Sequence, residues 1–211
     1  MARVTNYGEL KTWLSNTGHR GDLTAELPGF IQSAESMIAE RVRAIEMVTT
    51  LTLAEADRDS GAVYNLPGTF LGAKAVTGTQ SSVGYALKQV SIAELYRYGL
   101  TGDPVVYSIY NRQIEFRASP ATDDEFTLIY FKRPADFSAD GDTNTVLTNH
   151  PTLYQHASMH WFHVHTQDIE LATAHESAFM DAAQGVNALA EEVSGAASVA
   201  NQQNFNCGAT M

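Results

Sequence analysis

The chain has 211 residues and a formal net charge of −11, with 13 Lys and Arg against 24 Asp and Glu. This excess of acid argues against a protein that grips duplex DNA, because such binding depends on basic side chains that neutralise phosphates. No apolar run reaches the roughly 18–20 residues of a membrane span, no signal-peptide core is recognised, and the single cysteine, Cys207, excludes an intrachain disulfide framework. We therefore expect a soluble, acidic globular protein assembled in a reducing cytoplasm.

Two helices are predicted within residues 1–47. An apolar stripe that begins at Tyr7 recurs at helical spacing until Gly18 stops it. A longer stripe follows Pro28, a residue suited to the first position of a helix, and predicts a helix over residues 28–47. The short first helix cannot cover that whole stripe, so we expect the second helix to pack against a later part of the chain.

Residues 48–133 change to a β pattern and are predicted to form a small antiparallel β-rich insert. The segments 105–110 and 113–117 read as a tight hairpin through Asn111-Arg112. A strongly β-branched and aromatic stretch predicts a third strand over 126–131. Shorter strands are expected at 49–53 and 63–66, a short helix at 91–98, and turns at Pro67-Gly68, Gly78-Thr79 and Asp103-Pro104.

Residues 134–193 return to a helical pattern. A polar loop over 136–149 precedes a helix over 151–165, and a break follows before a last helix that is predicted to end near Val193. The sequence therefore predicts an α+β fold, in which the N- and C-terminal helices form one bundle and the β-rich unit is an insert.

Charge is distributed unevenly along the chain. All Lys and Arg side chains lie at or before Arg133, which leaves residues 1–133 with a net charge of −2. Residues 134–211 contain nine acids and no Lys or Arg, for a net charge of −9. This second block cannot attract a polyanion at neutral pH.

Residues 194–211 carry no charged side chain and few large apolar ones, so they are not expected to order themselves. One interpretation is a frayed terminus. The other is a docking tail that folds when it is laid into a partner's groove. For that second case the predicted contact residues are Val199, Phe205 and Met211, with Phe205 as the anchor.

A histidine cluster is the strongest candidate for chemistry. His156, His160 and His163 are spaced i, i+4, i+7, which places them on one helix face, and two of them could chelate zinc. No glutamate follows the first histidine, as a hydrolytic zinc motif requires. A polar helix face explains the same residues, and a pH-sensitive interface is a third interpretation, because histidine changes charge near pH 6.

Other candidate sites fail on their spacing. Asp140, Asp142 and Asn144 resemble the opening of a calcium loop, but the sixth position holds Thr145 and the twelfth holds Pro151. A turn followed by a helix cap explains these residues equally well. Cys207 has no base in sequence reach, and no Gly-rich phosphate loop is present. We predict no catalytic, cofactor-binding or metal-binding residue, and no enzyme.

A family resemblance rests on the order of short segments along most of the chain. Near the start these include Trp13-Leu14, Arg20-Gly21-Asp22-Leu23 and Leu27-Pro28-Gly29-Phe30-Ile31; later ones include Pro104-Val105-Val106-Tyr107, Leu128-Ile129-Tyr130-Phe131 and Asn149-His150-Pro151-Thr152-Leu153-Tyr154. Over roughly residues 5–193, this order resembles the head-to-tail adaptor (connector) proteins of short-tailed bacteriophages. The histidine stretch is not part of the resemblance.

The resemblance implies a structural protein of the virion neck. Such proteins assemble as a ring, commonly of twelve copies, beneath the portal protein, extend the DNA channel and provide the platform for tail (nozzle or tube) proteins. It also implies that the C-terminal segment docks on the portal. DNA would pass through without specific binding, since an acidic lining does not hold phosphates. The alternatives are another neck protein, such as a gatekeeper or stopper, and a metal-dependent hydrolase that uses the histidine cluster.

Overall fold

The computed structural model describes residues 4–54, 58–60, 62–80, 83–118 and 125–206. The chain divides into two compact units, a helical unit of Met1–Met47 with Pro134–Met211 and a β unit of Val48–Arg133. The mixture of helices and a sheet confirms the α+β class. Among the described helices, none is both long enough and apolar enough to cross a bilayer.

Six α-helices are present in the described residues. In chain order they are α1 (Tyr7–Gly18), α2 (Leu27–Arg41), α3 (Ile92–Leu95), α4 (Thr145–Asn149), α5 (Pro151–His165) and α6 (Ile169–Asn206). Only α3 belongs to the β unit. Short 3-10 turns occur at Gly21–Leu23 and Ile45–Met47.

Helix α5 is the element around which the helical unit packs. It contacts α1, α2, α4 and α6. Phe162, at 2% exposure, lies edge-on to Phe30 of α2 at a centroid distance of 5.8 Å. A Cβ added at Gly18 of α1 would collide with the same ring, so the absence of a side chain there lets α1 approach α5 closely. The unit is thus held by large apolar side chains on several helices.

The predicted bounds of three helices need correction. Helix α3 ends at Leu95 rather than at residue 98. Helix α2 ends at Arg41 rather than at residue 47, because Val42 is extended, with φ −102° and ψ 136°. Val42 is still fully buried, whereas Ile45 is 37% exposed, so the apolar spacing continued after the helix had ended. Helix α4 falls within the predicted polar loop, and α6 continues to Asn206, beyond the predicted end near Val193.

The β unit contains one eight-stranded sheet. Its strands are β1 (Val48–Leu53), β2 (Arg58–Ser60), β3 (Val63–Asn65), β4 (Phe70–Gln80), β5 (Val83–Gln89), β6 (Val106–Tyr110), β7 (Gln113–Phe116) and β8 (Glu125–Lys132), in the order β1-β8-β4-β5-β6-β7-β3-β2. Buried side chains from seven of the strands or their ends form one core, among them Tyr64, Val76, Phe116, Phe126 and Leu128.

The sequence predicts an antiparallel β-rich insert, but the sheet of the structure is mixed. Strands β5 and β6 pair in parallel, with Lys88 opposite Val106. The connection between them contains α3, and such a crossover returns the chain in the same direction. Ser91 caps α3 by accepting a hydrogen bond from the Glu94 N–H at 3.2 Å.

Strand β4 is the longest strand and was missed by the sequence analysis, which placed a turn at Gly78-Thr79. Gly78 lies instead inside β4, directly opposite Tyr85 of β5. A Cβ at Gly78 would lie 2.6 Å from the Tyr85 Cζ, so glycine is needed here for the close approach of a ring. The β6–β7 hairpin is confirmed, since Asn111 and Arg112 have φ of 45° and 58°, as a two-residue primed turn requires.

Candidate functional site

Helix α6 turns back onto α5 through a three-residue connection. Gln167 adopts the left-handed conformation, with φ 61°. The Asp168 carboxylate then accepts a hydrogen bond from the Leu171 N–H at 3.2 Å and so caps the start of α6. The predicted break between α5 and α6 is confirmed, and the two helices pack against each other.

Four histidine side chains meet between α5 and α6. The Nδ1 atoms of His156 and His175 are 3.1 Å apart. The His163 ring stacks on His175, with centroids 5.4 Å apart and planes within 8°. His160 Nδ1 lies 3.0 Å from the Ala172 carbonyl oxygen. The α5 face predicted from the spacing is confirmed, but His175, its partner on α6, was missed because no local spacing connects it to α5.

Burial determines the electrostatics of this cluster. It lowers the pKa of His156 and of His163, although the Asp168 carboxylate partly raises the latter. Burial also lowers the pKa of His175, and repulsion from the other histidines lowers it further. These shifts favour the neutral form of all three rings. Across the part of the chain that the structure describes, no group of three or more His, Cys, Asp or Glu side chains could hold a metal ion.

The segment before α4 uses its acids for local hydrogen bonds. The Asp142 carboxylate accepts from the Ser138 N–H at 2.7 Å, the Ser138 hydroxyl at 2.9 Å and the Ala139 N–H at 2.7 Å. The backbone hydrogen bonds from Ala139 and Ser138 lower the pKa of Asp142. Asn144 accepts from the Leu147 N–H at 2.8 Å and caps α4. The predicted turn followed by a helix cap is thus confirmed.

An asparagine connects α6 to the end of α2. Asn187 accepts a hydrogen bond from the Arg43 N–H at 2.7 Å and donates one to the Arg41 carbonyl at 2.9 Å. These two bonds satisfy backbone groups that α2 leaves free where it ends. Beside them lies a groove of about 450 Å³, lined in part by Met180 and Glu191.

The outer surface of α6 is acidic. Six carboxylates at its start and along it are exposed: Asp168, Glu170, Glu176, Asp181, Glu191 and Glu192. Exposed apolar side chains lie between them, with Leu171 at 44% and Leu189 at 51% exposure. This surface repels polyanions and leaves apolar area for contact with another protein.

The predicted docking residues fall at the end of the chain. Val199 and Phe205 both lie on α6, six residues apart in sequence, which places them about 120° apart around the helix axis. Met211 and Cys207 lie outside the described residues.

Comparison with known families gives a match over most of the chain. A family model described as SU10 adaptor protein matches residues 5–202, and so includes both structural units and most of α6. No curated protein matches the chain.

Proposed function

The chain belongs to the SU10 adaptor protein family, and from that premise we propose that it forms the head-to-tail adaptor ring of a phage virion. The family match over residues 5–202 is the observation that carries this proposal, and it makes the chain a phage structural adaptor protein of the virion neck. We further propose that the ring docks on the portal protein, extends the DNA channel and receives the tail proteins.

The helical unit is proposed to act as the scaffold of the ring, with α1, α2, α5 and α6 working as one bundle. A closed ring needs a heterologous interface, in which different surfaces of each copy meet. The exposed apolar side chains of α6, Leu171 and Leu189 among them, supply area for such contacts. A ring of twelve copies is the expected stoichiometry.

The acidic surface of α6 supports a role at the channel. DNA that must slide past a wall should not exchange its counterions for fixed basic side chains, because that exchange makes binding tight. The exposed acids of α6, with no Lys or Arg anywhere after Arg133, meet this requirement. We therefore place α6 at or beside the lumen in the proposed ring.

Mass measurement tests ring assembly. The purified full chain, alone and mixed with portal rings, is analysed by native mass spectrometry and by sedimentation velocity. We expect a monomer or weak associate alone, and about twelve bound copies per portal ring, in line with closed cyclic symmetry. A chain that never joins a multi-subunit particle with the portal contradicts the proposal.

Portal docking by the C-terminal segment is tested separately. Deletion of residues 194–211 should abolish portal binding and leave the melting temperature unchanged. Within that segment, Phe205→Ala should weaken binding about tenfold or more, the scale of a buried aromatic anchor, while its neighbour Gln202→Ala serves as the matched control. Full portal binding by the deletion variant would remove the docking role but leave ring assembly standing.

A further inference from the structure

His156 and His175 can form a hydrogen bond between their Nδ1 atoms only if one ring is the donor and the other is the acceptor. Their Nδ1 atoms are 3.1 Å apart, a hydrogen-bond distance. One Nδ1 must therefore carry a hydrogen while the other offers a lone pair. If both rings became imidazolium, both Nδ1 atoms would be donors, and the hydrogen bond would be replaced by repulsion between two cations.

His175 contacts both other rings and would be the residue most exposed to repulsion if the rings were protonated. It contacts His156 through the Nδ1 pair and stacks on His163 with nearly parallel rings. Stacking two neutral imidazoles is favourable, whereas two imidazolium rings at 5.4 Å repel each other. His160 differs, because its Nδ1 faces the Ala172 carbonyl oxygen at 3.0 Å and can donate to it in either charge state.

Among the described residues, Asp168 is the carboxylate that acts on the cluster, since it partly raises the pKa of His163. Among other described charged groups on the elements packed against α5, Glu35 of α2 accepts from the Phe137 N–H at 2.8 Å, and Lys11 of α1 is paired with Asp140. His150, which precedes α5, lies 3.4 Å from Glu46. On α6 itself, Glu176 is exposed to solvent.

We propose that His156, His163 and His175 form a proton-sensitive latch that holds α6 against α5 when the rings are neutral and loosens this helix pair when they are protonated. The latch acts on the helix that carries the acidic surface and the C-terminal segment. It concerns the helix pair itself and does not depend on ring assembly or portal docking.

The direction of the pH dependence follows from the lowered pKa values. A histidine whose pKa is lowered by folding takes up its proton more readily once the helices have separated. The latch is therefore fully closed above the ordinary histidine pKa of about 6.5 and loosens as the pH falls below it. Each proton taken up on opening multiplies the opening constant by about ten per pH unit.

Hydrogen exchange on the full chain tests this latch. Exchange is measured by mass spectrometry at pH 7.5 and pH 5.5, with correction for the intrinsic effect of pH on amide exchange. We expect the opening constant over residues 172–190 to rise at least tenfold more than that over β8 between the two pH values. An equal rise in both segments would overturn the proposal.

Two variants make the test specific. His175→Gln keeps an amide that can bond to His156 but cannot become charged, so it removes one of the three groups that take up a proton on opening. We expect the extra rise in α6 to fall several-fold, while His156 and His163, whose pKa values are lowered by burial, keep part of the response. The matched control is His165→Gln on α5, which lies outside the cluster beside Phe30 and should keep the tenfold response. A His175→Gln protein with the full pH response contradicts the latch.

A measurement on the unsubstituted chain covers the case in which His175→Gln does not fold. The imidazole proton signals of the seven histidines are titrated by nuclear magnetic resonance. We expect at least three of them to titrate below the ordinary value of about 6.5, with the α6 amide signals shifting over the same pH range. Titration of every histidine at or above that value would equally overturn the proposal.

Discussion

The two units differ in how many polar side chains they bury. Within the described residues, the helical unit buries Glu35, Ser158 and His163, and it gathers four histidines between two of its helices. The β unit buries one such residue, Ser108, and otherwise fills its core with apolar and aromatic side chains. Helices packed through polar groups are adjustable by protonation, whereas an apolar core is not. The helical unit is thus where regulation is expected.

The prediction with the largest expected effect concerns Phe162. It tests whether the stability of the helical unit depends on its apolar contacts although the unit also buries polar groups. Phe162→Ala removes a ring that is 2% exposed and that contacts Phe30. We expect the free energy of unfolding to fall by about 3–5 kcal/mol, from lost burial and the cavity left behind. Denaturant unfolding followed by circular dichroism measures it.

The control for Phe162 is an apolar truncation on the same unit. Leu189→Ala shortens a side chain that is 51% exposed, so it should change the free energy of unfolding by less than about 0.5 kcal/mol. Equal losses in the two variants would mean that α5 is not the packing centre of the helical unit.

Much of the helical unit could be predicted because its signals are local. Helical spacing and the proline at its start predict a helix over 151–165, and α5 has the bounds Pro151–His165. The end of α2 could not be predicted, since Asn187, more than 140 residues away in sequence, binds the backbone at Arg41 and Arg43. His175 is a similar case, because the histidine cluster is completed by a contact between helices.

The β unit was less predictable for the same reason. The β6–β7 hairpin depends on two adjacent residues, Asn111 and Arg112, and its sequence indicated it. Strand β4 depends instead on what lies opposite Gly78, and a glycine followed by threonine is more typical of a turn than of a strand interior. The parallel pairing of β5 with β6 likewise follows from a crossover that local patterns do not specify.

A second prediction tests how tightly the β unit is packed, by adding a methyl group at Gly78. Gly78→Ala would place a Cβ 2.6 Å from the Tyr85 Cζ. We expect the free energy of unfolding to fall by about 1–3 kcal/mol, because either the ring or the strand must move. Thermal unfolding followed by near-ultraviolet circular dichroism, which reports on tyrosine packing, measures the change.

The matched control lies on the neighbouring strand. Gly84 of β5 has no atom within 4 Å of an added Cβ, so Gly84→Ala should leave stability unchanged or raise it slightly. Removing the ring as well, in a Gly78→Ala and Tyr85→Ala double variant, should reduce the cost of the alanine at 78. If the cost persists without the ring, the close approach to Tyr85 is not its cause.

The prediction with the smallest expected effect concerns the hydrogen bonds of Asn187 at the end of α2. It distinguishes a role in ending the helix from a role in the stability of the whole unit. Asn187→Ala leaves the Arg43 N–H and the Arg41 carbonyl without the side chain that bonds to them. We expect a loss of about 1 kcal/mol in the free energy of unfolding, with faster hydrogen exchange at Arg43. Gln184→Ala, an exposed neighbour in the same groove, should change neither. Because these two hydrogen bonds fix where α2 stops rather than how much apolar area it covers, exchange at Arg43 should rise well before the unit as a whole unfolds. Unchanged exchange there would mean that the extended conformation at Val42, and not Asn187, ends the helix.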